Sequence, residues 1–457
     1  MENSITVENS EKAGNVKKAL ASLKSRTVLM AALTVGTVSV GVKVLAVARD
    51  ILAARRFGLG PEHDAYLVAL SIILLGVSVI GGSVVPAFLP TYVRTRQEQG
   101  EKEASALLGR TLFWLLTLGL SASCVLIFLG EPVLRLLSPG FSAVSSVMAR
   151  KLMAIMALTI PMASLMYLFS GVLNAGGKFA AAAAVPACTP LAVAGAVLLT
   201  PDSWGIQSMA WATMAGACLE VFVLWQFLRL RGISILPSSM GVDEPFRKVC
   251  GQYFPVAVGA LLMSGAMVLD NAMATTLAGG SVTALRYGSK LVGFFLEIAS
   301  LAVGTAVLPH FATLALQNDR TAIRKALARY SVILAAVAVP VALAMMVFSE
   351  PLTRILLERG SFSADNTGLV AGVQAMYALQ IPFYILSILA VRMMSALLMN
   401  RWILAIASFN LLVKLGLNLL LYRIMGVRGL ALSTTFVYAF STILVYLAIL
   451  WKTKASE

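Results

Sequence analysis

Long apolar stretches, separated by short polar loops, dominate the pattern of residues along this chain. About 20 apolar residues in a helix span a bilayer, and these stretches lack the alternation of a membrane β-barrel. The pattern predicts an all-α integral membrane protein with about 12 transmembrane helices. The predicted spans are 28–53, 64–93, 104–129, 150–174, 182–200, 206–229, 249–276, 282–314, 329–348, 366–396, 402–421 and 427–450.

The second half of the chain repeats short motifs of the first half. The matching motifs are Glu-Pro at 131–132 and 350–351, Phe-Ser-Ala at 141–143 and 362–364, and Ile-Pro at 160–161 and 381–382. Asp50 in predicted helix 1 likewise corresponds to Asp270 in helix 7. We therefore predict two pseudo-symmetric six-helix lobes, 28–235 and 236–457, after an interfacial segment at 1–27. Transporters built from such repeats bind substrate between the halves.

The charge distribution predicts the orientation. The net charge is +15, although 59% of residues are hydrophobic and only 12% are charged, whereas a soluble domain carries roughly 25%. Lys and Arg cluster in alternate loops, which by the positive-inside rule predicts that both termini are cytoplasmic. Anionic lipids are expected partners at these loops, and nucleic acid is not. The apolar run after Lys24 and Arg26 resembles a signal peptide, but its length and the repeat favour a retained first helix.

Catalytic chemistry has little support in the sequence. The only histidines, His63 and His310, lie at span ends, and no phosphate-binding loop, zinc motif or nucleophile elbow occurs. No two of the four cysteines have metal-ligand or redox spacing. We expect a protein that is not an enzyme and holds no metal or cofactor. Transport would then be driven by the membrane potential, a monovalent cation gradient or substrate supply.

Charged residues inside the spans gather on two helices. Lys43 and Asp50 lie seven residues apart on one face of helix 1, and Arg286, Lys290 and Glu297 share one face of helix 8. Charges persist inside a membrane when they face a cavity or a partner. Because these helices belong to different halves, we predict a hydrated central cavity of net positive character. Such a cavity attracts an anionic headgroup, such as a lipid diphosphate or a carboxylate.

A structural alternative assigns the same charges to ion pairs within each helix. Lys43 would pair with Asp50, and Lys290 with Glu297, holding the helices in place. Arg49 lies about 100° around helix 1 from Asp50. Arg286 is close enough to a span end to extend toward the membrane surface instead.

Other polar residues within the spans leave two interpretations open. Asn410, Lys414 and Asn418, at four-residue steps, line the cavity or mediate helix packing. Glu220 is a lone acid that would suit a proton or cation site, and Asp64 is expected to cap the start of helix 2. Kinks are expected at Pro161, Pro340 and Pro382.

The chain resembles the MurJ (MviN) lipid II flippase family of the multidrug/oligosaccharidyl-lipid/polysaccharide exporter superfamily. The resemblance rests on Ala48–Ile51, Ala54–Gly58, Asp64–Tyr66, Ala87–Pro90, Leu173–Ala175, Val185–Pro190, Gly280–Val282, Gly304–Pro309 and Gly360–Phe362. It implies two six-helix lobes in a V around a cationic cavity. It also implies transport of undecaprenyl-diphosphate-linked saccharides to the outer leaflet of the bacterial inner membrane. Arg49, Asp50 and Asp64 coincide with functionally sensitive charges of the family.

Several positions depart from the family pattern. Lys43 and Lys290 stand where the family has arginines, and lysine lacks the bidentate geometry that suits a diphosphate. Residues 75–82 of helix 2 carry no charge, where the family has an arginine pair and a glutamate. Many members have fourteen spans, two more than the twelve predicted here. These departures favour, as an alternative substrate, a lipid-linked exopolysaccharide or O-antigen-type repeat unit.

We therefore predict a flippase of a polyprenyl-diphosphate-linked saccharide that works by alternating access, with envelope glycan synthesis proteins as candidate partners. The predicted diphosphate-binding cations are Lys43, Arg49 and Lys290, and the predicted gating or charge-positioning acids are Asp50, Asp64, Asp270 and Glu297. A competing function is that of a cation-coupled multidrug exporter, in which Asp270 or Glu220 would be essential. A membrane glycosyltransferase and a scaffold in cell-wall assembly compete less strongly.

Overall fold

The computed structural model describes residues 34–233, 241–317 and 319–454. The predicted interfacial segment 1–27, the start of the first predicted span and part of the linker between the halves lie outside these residues. The helices are α1 (34–57), α2 (Pro61–Val77), α3 (Val84–Gln99), α4 (Glu101–Phe128), α5 (Gly130–Leu137), α6 (Ala143–Met156), α7 (Thr159–Ala175), α8 (Phe179–Ala184), α9 (Cys188–Leu199), α10 (Gln207–Arg229), α11 (Glu244–Ala274), α12 (Ser281–Gln317), α13 (Arg320–Val347), α14 (Ser349–Leu357), α15 (Ala364–Ala378), α16 (Ile381–Ala396), α17 (Asn400–Met425) and α18 (Val427–Lys454).

Eleven candidate membrane spans occur among the described residues, and no β-strand occurs there. They match the second to the twelfth predicted spans, so the all-α membrane fold is confirmed. Four of these spans join shorter helices: α2 with α3, α6 with α7, α8 with α9, and α15 with α16. The first predicted span corresponds to α1, which is described only from residue 34 onward.

Prolines account for two of the breaks inside the spans. Pro161 is the third residue of α7 and Pro382 the second residue of α16, and each helix follows a short break. Proline is favoured in a first helical turn because its missing N–H has no partner to lose there. These two predicted kinks are confirmed, whereas α13 runs without a break through Pro340.

The repeated motifs form the same local structures in both halves. Ser142 caps α6 by accepting a hydrogen bond from the backbone N–H of Ser145, and Ser363 caps α15 in the same way. The short helices α5 and α14 each carry a Glu–Arg ion pair one turn apart, at 2.6 Å from Arg135 to Glu131 and at 2.8 Å from Arg354 to Glu350. The repeat seen in the sequence is therefore a repeat of caps and turns.

The long helix α11 contacts both halves of the molecule. A single π turn, Ser78–Gly82, joins α2 to α3 and disturbs the helical hydrogen-bond ladder there. The Tyr253 hydroxyl of α11 donates to the Ile80 carbonyl at 3.1 Å, and the Ser264 hydroxyl donates to Ser78 at 2.8 Å. Because α11 also packs on α17, the division of the chain at 235/236 stays a prediction.

Small residues bring helices into close contact. A Cβ at Gly216 of α10 would lie 2.6 Å from the Cα of Thr189, and one at Gly288 of α12 would lie 2.6 Å from a methyl group of Val373. Inside a bilayer, helices associate through such packing because lipid tails are as apolar as the helix faces. These contacts fix the helices that carry the charged residues.

Candidate functional site

Helices α1 and α12 run antiparallel and bring their charged faces together. Lys43 and Asp50 are seven residues apart on α1, as are Lys290 and Glu297 on α12. Seven residues rise about 10 Å along a helix, so two matched contacts form between the helices. We call these four residues the charge ladder, and we call the side opposite the predicted cytoplasmic loops the outer side.

The outer contact of the ladder places two cations on one carboxylate. The ammonium of Lys290 lies 2.8 Å from Oδ2 of Asp50, and the guanidinium of Arg49 lies 2.5 Å from Oδ1. All three side chains are largely buried, with 14 to 26% exposed. Since one carboxylate balances only one cation, a net positive charge remains between the lobes and favours an incoming anion.

The inner contact of the ladder is exposed. Lys43 lies 2.7 Å from Glu297, and each side chain is more than half exposed. Such exposure in the middle of membrane-length helices indicates a water-accessible space between α1 and α12. An exposed pair of this kind contributes little to stability, roughly 0.2–1 kcal/mol.

The alternative in which Lys43 pairs with Asp50 and Lys290 with Glu297 is wrong. Both contacts of the ladder instead join α1 of the first half to α12 of the second half. The rise of about 10 Å between charges seven residues apart is too long for a direct contact, whereas the facing helix offers a partner at each level. The charges therefore link the two lobes.

The sequence suggested that Asp64 caps the start of its own helix, and this prediction is wrong. α2 begins at Pro61 after Gly60, so Asp64 lies a full turn inside it. The Asp64 carboxylate accepts hydrogen bonds at the start of α12, from the backbone N–H of Gly280 at 2.7 Å and from the backbone N–H and hydroxyl of Thr283 at 2.8 and 2.6 Å. Asp64 therefore caps a helix of the other lobe.

Two further backbone contacts close the outer side. The backbone N–H of Ser361 donates to the carbonyl of Arg55 at 2.8 Å, and the Ser361 hydroxyl donates to the carbonyl of Arg56 at 3.0 Å. Gly58 has a φ of +57°, and a Cβ there would collide with the Ser361 backbone. Only glycine tolerates both conditions. We call these contacts, with the Asp64 cap, the outer seam.

Asp270 lies apart from the charge ladder. It is 3.0 Å from the ammonium of Lys414 and 2.7 Å from the amide of Asn418, both on α17. Lys414 also donates to Ser433 at 3.0 Å and to Thr434 at 2.5 Å on α18. Lys414 and Asn418 are buried, so they mediate packing of α11, α17 and α18. The gating role of Asp270 stays a prediction.

Arg286 is a further candidate site residue, which the sequence placed on the charged face of helix 8, with an extension toward the membrane surface as the alternative. Its side chain lines a cavity between the lobes, together with Ser71 of α2, Asp270 of α11 and Tyr377 of α15. Its spacing of four residues from Lys290 placed it on the same face, and that signal was sufficient to find it. The outer part of the cavity thus contains a further cation.

Glu220 lies on α10, away from both the ladder and the seam. It is buried and accepts a hydrogen bond from the backbone N–H of Thr189 at 3.2 Å, near the start of α9. No ion pair to Glu220 occurs within the part of the chain that the structure describes. In that same part, no three His, Cys, Asp or Glu side chains lie close enough to hold a metal ion.

Two helical lobes joined by a closed outer seam, with unbalanced positive charge between them, define a multi-pass membrane transporter. A family model described as lipid II flippase MurJ matches residues 53–455. The chain belongs to the lipid II flippase MurJ family, and the family resemblance in the sequence is confirmed. Members of this family are transporters rather than enzymes, and this protein resides in the bacterial inner membrane.

Similarity to individual relatives extends over most of the chain. The lipid II flippase MurJ of Burkholderia cenocepacia is 28% identical, over 76% of this chain and 69% of its own length. The probable lipid II flippase MurJ of Rhizobium tropici is 24% identical, over 88% of this chain and 77% of its own length.

Solved structures share the fold. A lipid II flippase MurJ in an inward closed conformation has a TM-score of 0.79 at 21% identity, covering 91% of this chain and 87% of its own. An inward-facing multidrug resistance MATE family transporter of the MOP superfamily has a TM-score of 0.74 at 14% identity, covering 93% and 98%. Sequence identities this low show a shared fold and nothing more.

Proposed function

We propose that this protein flips a polyprenyl-diphosphate-linked saccharide, lipid II or a closely related glycan lipid, across the inner membrane by alternating access. The observation that carries the proposal is the convergence of Arg49 and Lys290 on the single carboxylate of Asp50, between the lobes. A diphosphate entering the cavity offers these cations more negative charge than Asp50 does. The choice of lipid II as the proposed substrate rests on the names of the family and of its relatives.

The proposed cycle follows from the cross-lobe contacts. With the outer seam closed, substrate enters from the inner side, and its diphosphate takes Arg49 and Lys290 from Asp50. The direct ion pair between Asp50 of α1 and Lys290 of α12 is then broken, and the diphosphate holds one cation of each lobe until it leaves. The lobes rock apart at the outer seam, and the saccharide leaves on the outer side.

We propose the membrane potential or a monovalent cation gradient as the driving force for this cycle. The diphosphate carries its negative charge through the cavity, so the membrane potential acts on that step directly. A transport assay in proteoliposomes with imposed potentials, with and without sodium or proton gradients, separates the two sources. A rate that does not respond to any of them would instead indicate that substrate supply alone drives transport.

Rescue of bacterial growth after depletion of the native lipid II flippase tests the function. We expect the wild-type chain to rescue growth and Lys290→Ala to fail at equal membrane abundance. Lys290→Ala leaves Arg49 paired with Asp50, so the fold is expected to survive. Lys452→Ala, at the exposed end of α18, is the matched control and should rescue fully.

The remaining outcomes have distinct meanings. If the wild-type chain reaches the membrane but does not rescue growth, lipid II is not its substrate, and a lipid-linked exopolysaccharide or O-antigen-type unit becomes the leading candidate. If Lys290→Ala rescues as well as the wild type, the proposed role of this cation is wrong. Resistance to toxic amphiphiles on overexpression would favour a multidrug exporter.

A further inference from the structure

Arg392 is an arginine inside a membrane span that has no partner among the described residues. It lies on α16, four residues before the helix ends at Ala396, and its side chain is partly exposed. Within the part of the chain that the structure describes, no side chain or backbone group forms an ion pair or hydrogen bond with it. An ionised side chain inside a membrane is costly unless it faces water or a ligand. Arg392 therefore requires water or a ligand as its partner.

The guanidinium of Arg392 extends the charge ladder toward the inner side. It lies against Gly304 of α12, where an added Cβ would be 3.3 Å from Nη2 and 3.5 Å from Nε. Lys290, Glu297 and Gly304 are spaced by seven residues and so share one face of α12. Arg392 thus lies about 10 Å beyond Glu297, and roughly 21 Å beyond Lys290, along the helix axis.

Arg392 is available to an anion, whereas Arg49 and the two lysines of the charge ladder are already paired with carboxylates. Lys43 is held by Glu297, while Lys290 and Arg49 share Asp50. An anion that arrives from the inner side therefore meets this guanidinium before it meets cations that must first leave a carboxylate. A guanidinium also matches phosphate oxygens bidentately, which an ammonium does not.

We propose that Arg392 is the first docking site for the diphosphate of the lipid substrate, from which the diphosphate moves outward to Arg49 and Lys290. This inference rests on the proposed function and adds an order of events to it. The spacing along α12 gives two stations, one beside Gly304 toward the inner side and one at the outer contact of the ladder. The Lys43–Glu297 pair lies between them and is neutral overall, which keeps the two cationic stations distinct.

Binding of a soluble prenyl diphosphate tests the first station. The full-length protein in phosphatidylcholine nanodiscs is titrated with farnesyl diphosphate, and the affinity is measured by microscale thermophoresis. We expect Arg392→Gln to bind about tenfold more weakly, as for a lost charge-assisted hydrogen bond. Arg392→Lys should recover part of the loss. Arg401→Gln, at the exposed start of α17, should bind as the wild type does.

Two outcomes would overturn the proposal. The first is an unchanged affinity for farnesyl diphosphate in Arg392→Gln. The second is a loss of affinity that occurs only in nanodiscs containing phosphatidylglycerol, which would assign Arg392 to lipid headgroups. Arg392→Gln removes a charge that stabilises no ion pair among the described residues, so its thermal unfolding should match the wild type. This comparison excludes a folding defect.

Transport kinetics separate docking from translocation. In proteoliposomes, Arg392→Gln should raise the half-saturating substrate concentration about tenfold at an unchanged maximal rate, whereas Lys290→Ala should lower the maximal rate. The reverse assignment would contradict the order of the two stations. Failure of the wild-type chain to rescue lipid II flippase depletion would instead refute the proposed substrate, while diphosphate binding at Arg392 would still be measurable.

Discussion

The repeat-related acids Asp50 and Asp270 form different kinds of ion pair. Asp50, on α1, pairs at 2.8 Å with Lys290 of the opposite lobe, whose side chain is 26% exposed. Asp270, on α11, pairs at 3.0 Å with Lys414 within its own half, and that side chain is only 5% exposed. Both acids derive from the same position of the duplicated unit, yet one links the lobes and the other holds three helices of one lobe together.

This difference distinguishes an ion pair between the two lobes from an ion pair within one lobe. In the proposed cycle the pair between α1 and α12 breaks when the lobes rock, so partial hydration and a second cation would lower the cost of breaking it. The pair of Asp270 with Lys414 moves as part of one rigid group, so it tolerates full burial. The repeat thus contains two equivalent acids, whose contacts differ in the position of their partners.

The largest effect on stability is expected from Asp270→Asn. It leaves the Lys414 ammonium buried without a counter-charge, which costs about 3–5 kcal/mol. Thermal unfolding in detergent should show a larger fall in Tm for Asp270→Asn than for Asp50→Asn, because Lys290 and Arg49, 26% and 15% exposed, are better hydrated than Lys414, which is 5% exposed. The double variant Asp270→Asn, Lys414→Met should recover most of the loss. An equal fall in Tm for Asp270→Asn and Asp50→Asn would contradict the distinction between the two ion pairs.

The next largest effect is expected at the outer seam. Asp64→Ala removes the cap of α12, which costs about 1–2 kcal/mol, and shifts the lobes toward an outer-open state. In a background without native cysteines, Ser71→Cys inside the cavity should then react faster with a membrane-impermeant thiol reagent added outside. Glu62→Ala, at an exposed acid on the same helix, is the control. Unchanged labelling would show that the Asp64 cap does not keep the seam closed.

The smallest effect is expected at the inner contact of the ladder. Lys43→Gln breaks a half-exposed pair, so unfolding should change by less than about 1 kcal/mol, and the change should shrink with added salt. Its transport defect should be milder than that of Lys290→Ala. A loss of stability comparable to that of Asp270→Asn would mean that the inner contact is not hydrated.

The hydrophobic pattern and the helical periodicity were sufficient to predict the fold and the helix faces that carry the charged residues. They placed eleven of the described spans, and they placed Lys290 and Glu297 on one face. They did not predict which charges meet, because pairing depends on the axial register between α1 and α12. That register is fixed by packing and loop geometry elsewhere in the chain.

The role of Asp64 shows the same limit. Its position near a helix start is typical of a cap, but periodicity cannot reveal that the capped helix belongs to the other lobe. The motifs at Gly58, Gly280 and Gly360 were visible only as resemblances to a family. In the structure they contribute the close backbone contacts of the outer seam, and tight backbone contacts have no hydrophobic signature.

The central claim is that the outer seam opens during transport while the inner side closes. Spin-label distances from pulsed electron resonance test it, with labels at Glu62 and Asp365 on the outer side and at Gln97 and Lys325 on the inner side. Addition of lipid II to the protein in nanodiscs should lengthen the outer distance and shorten the inner one. Unchanged distances in a preparation that transports lipid II would contradict the account.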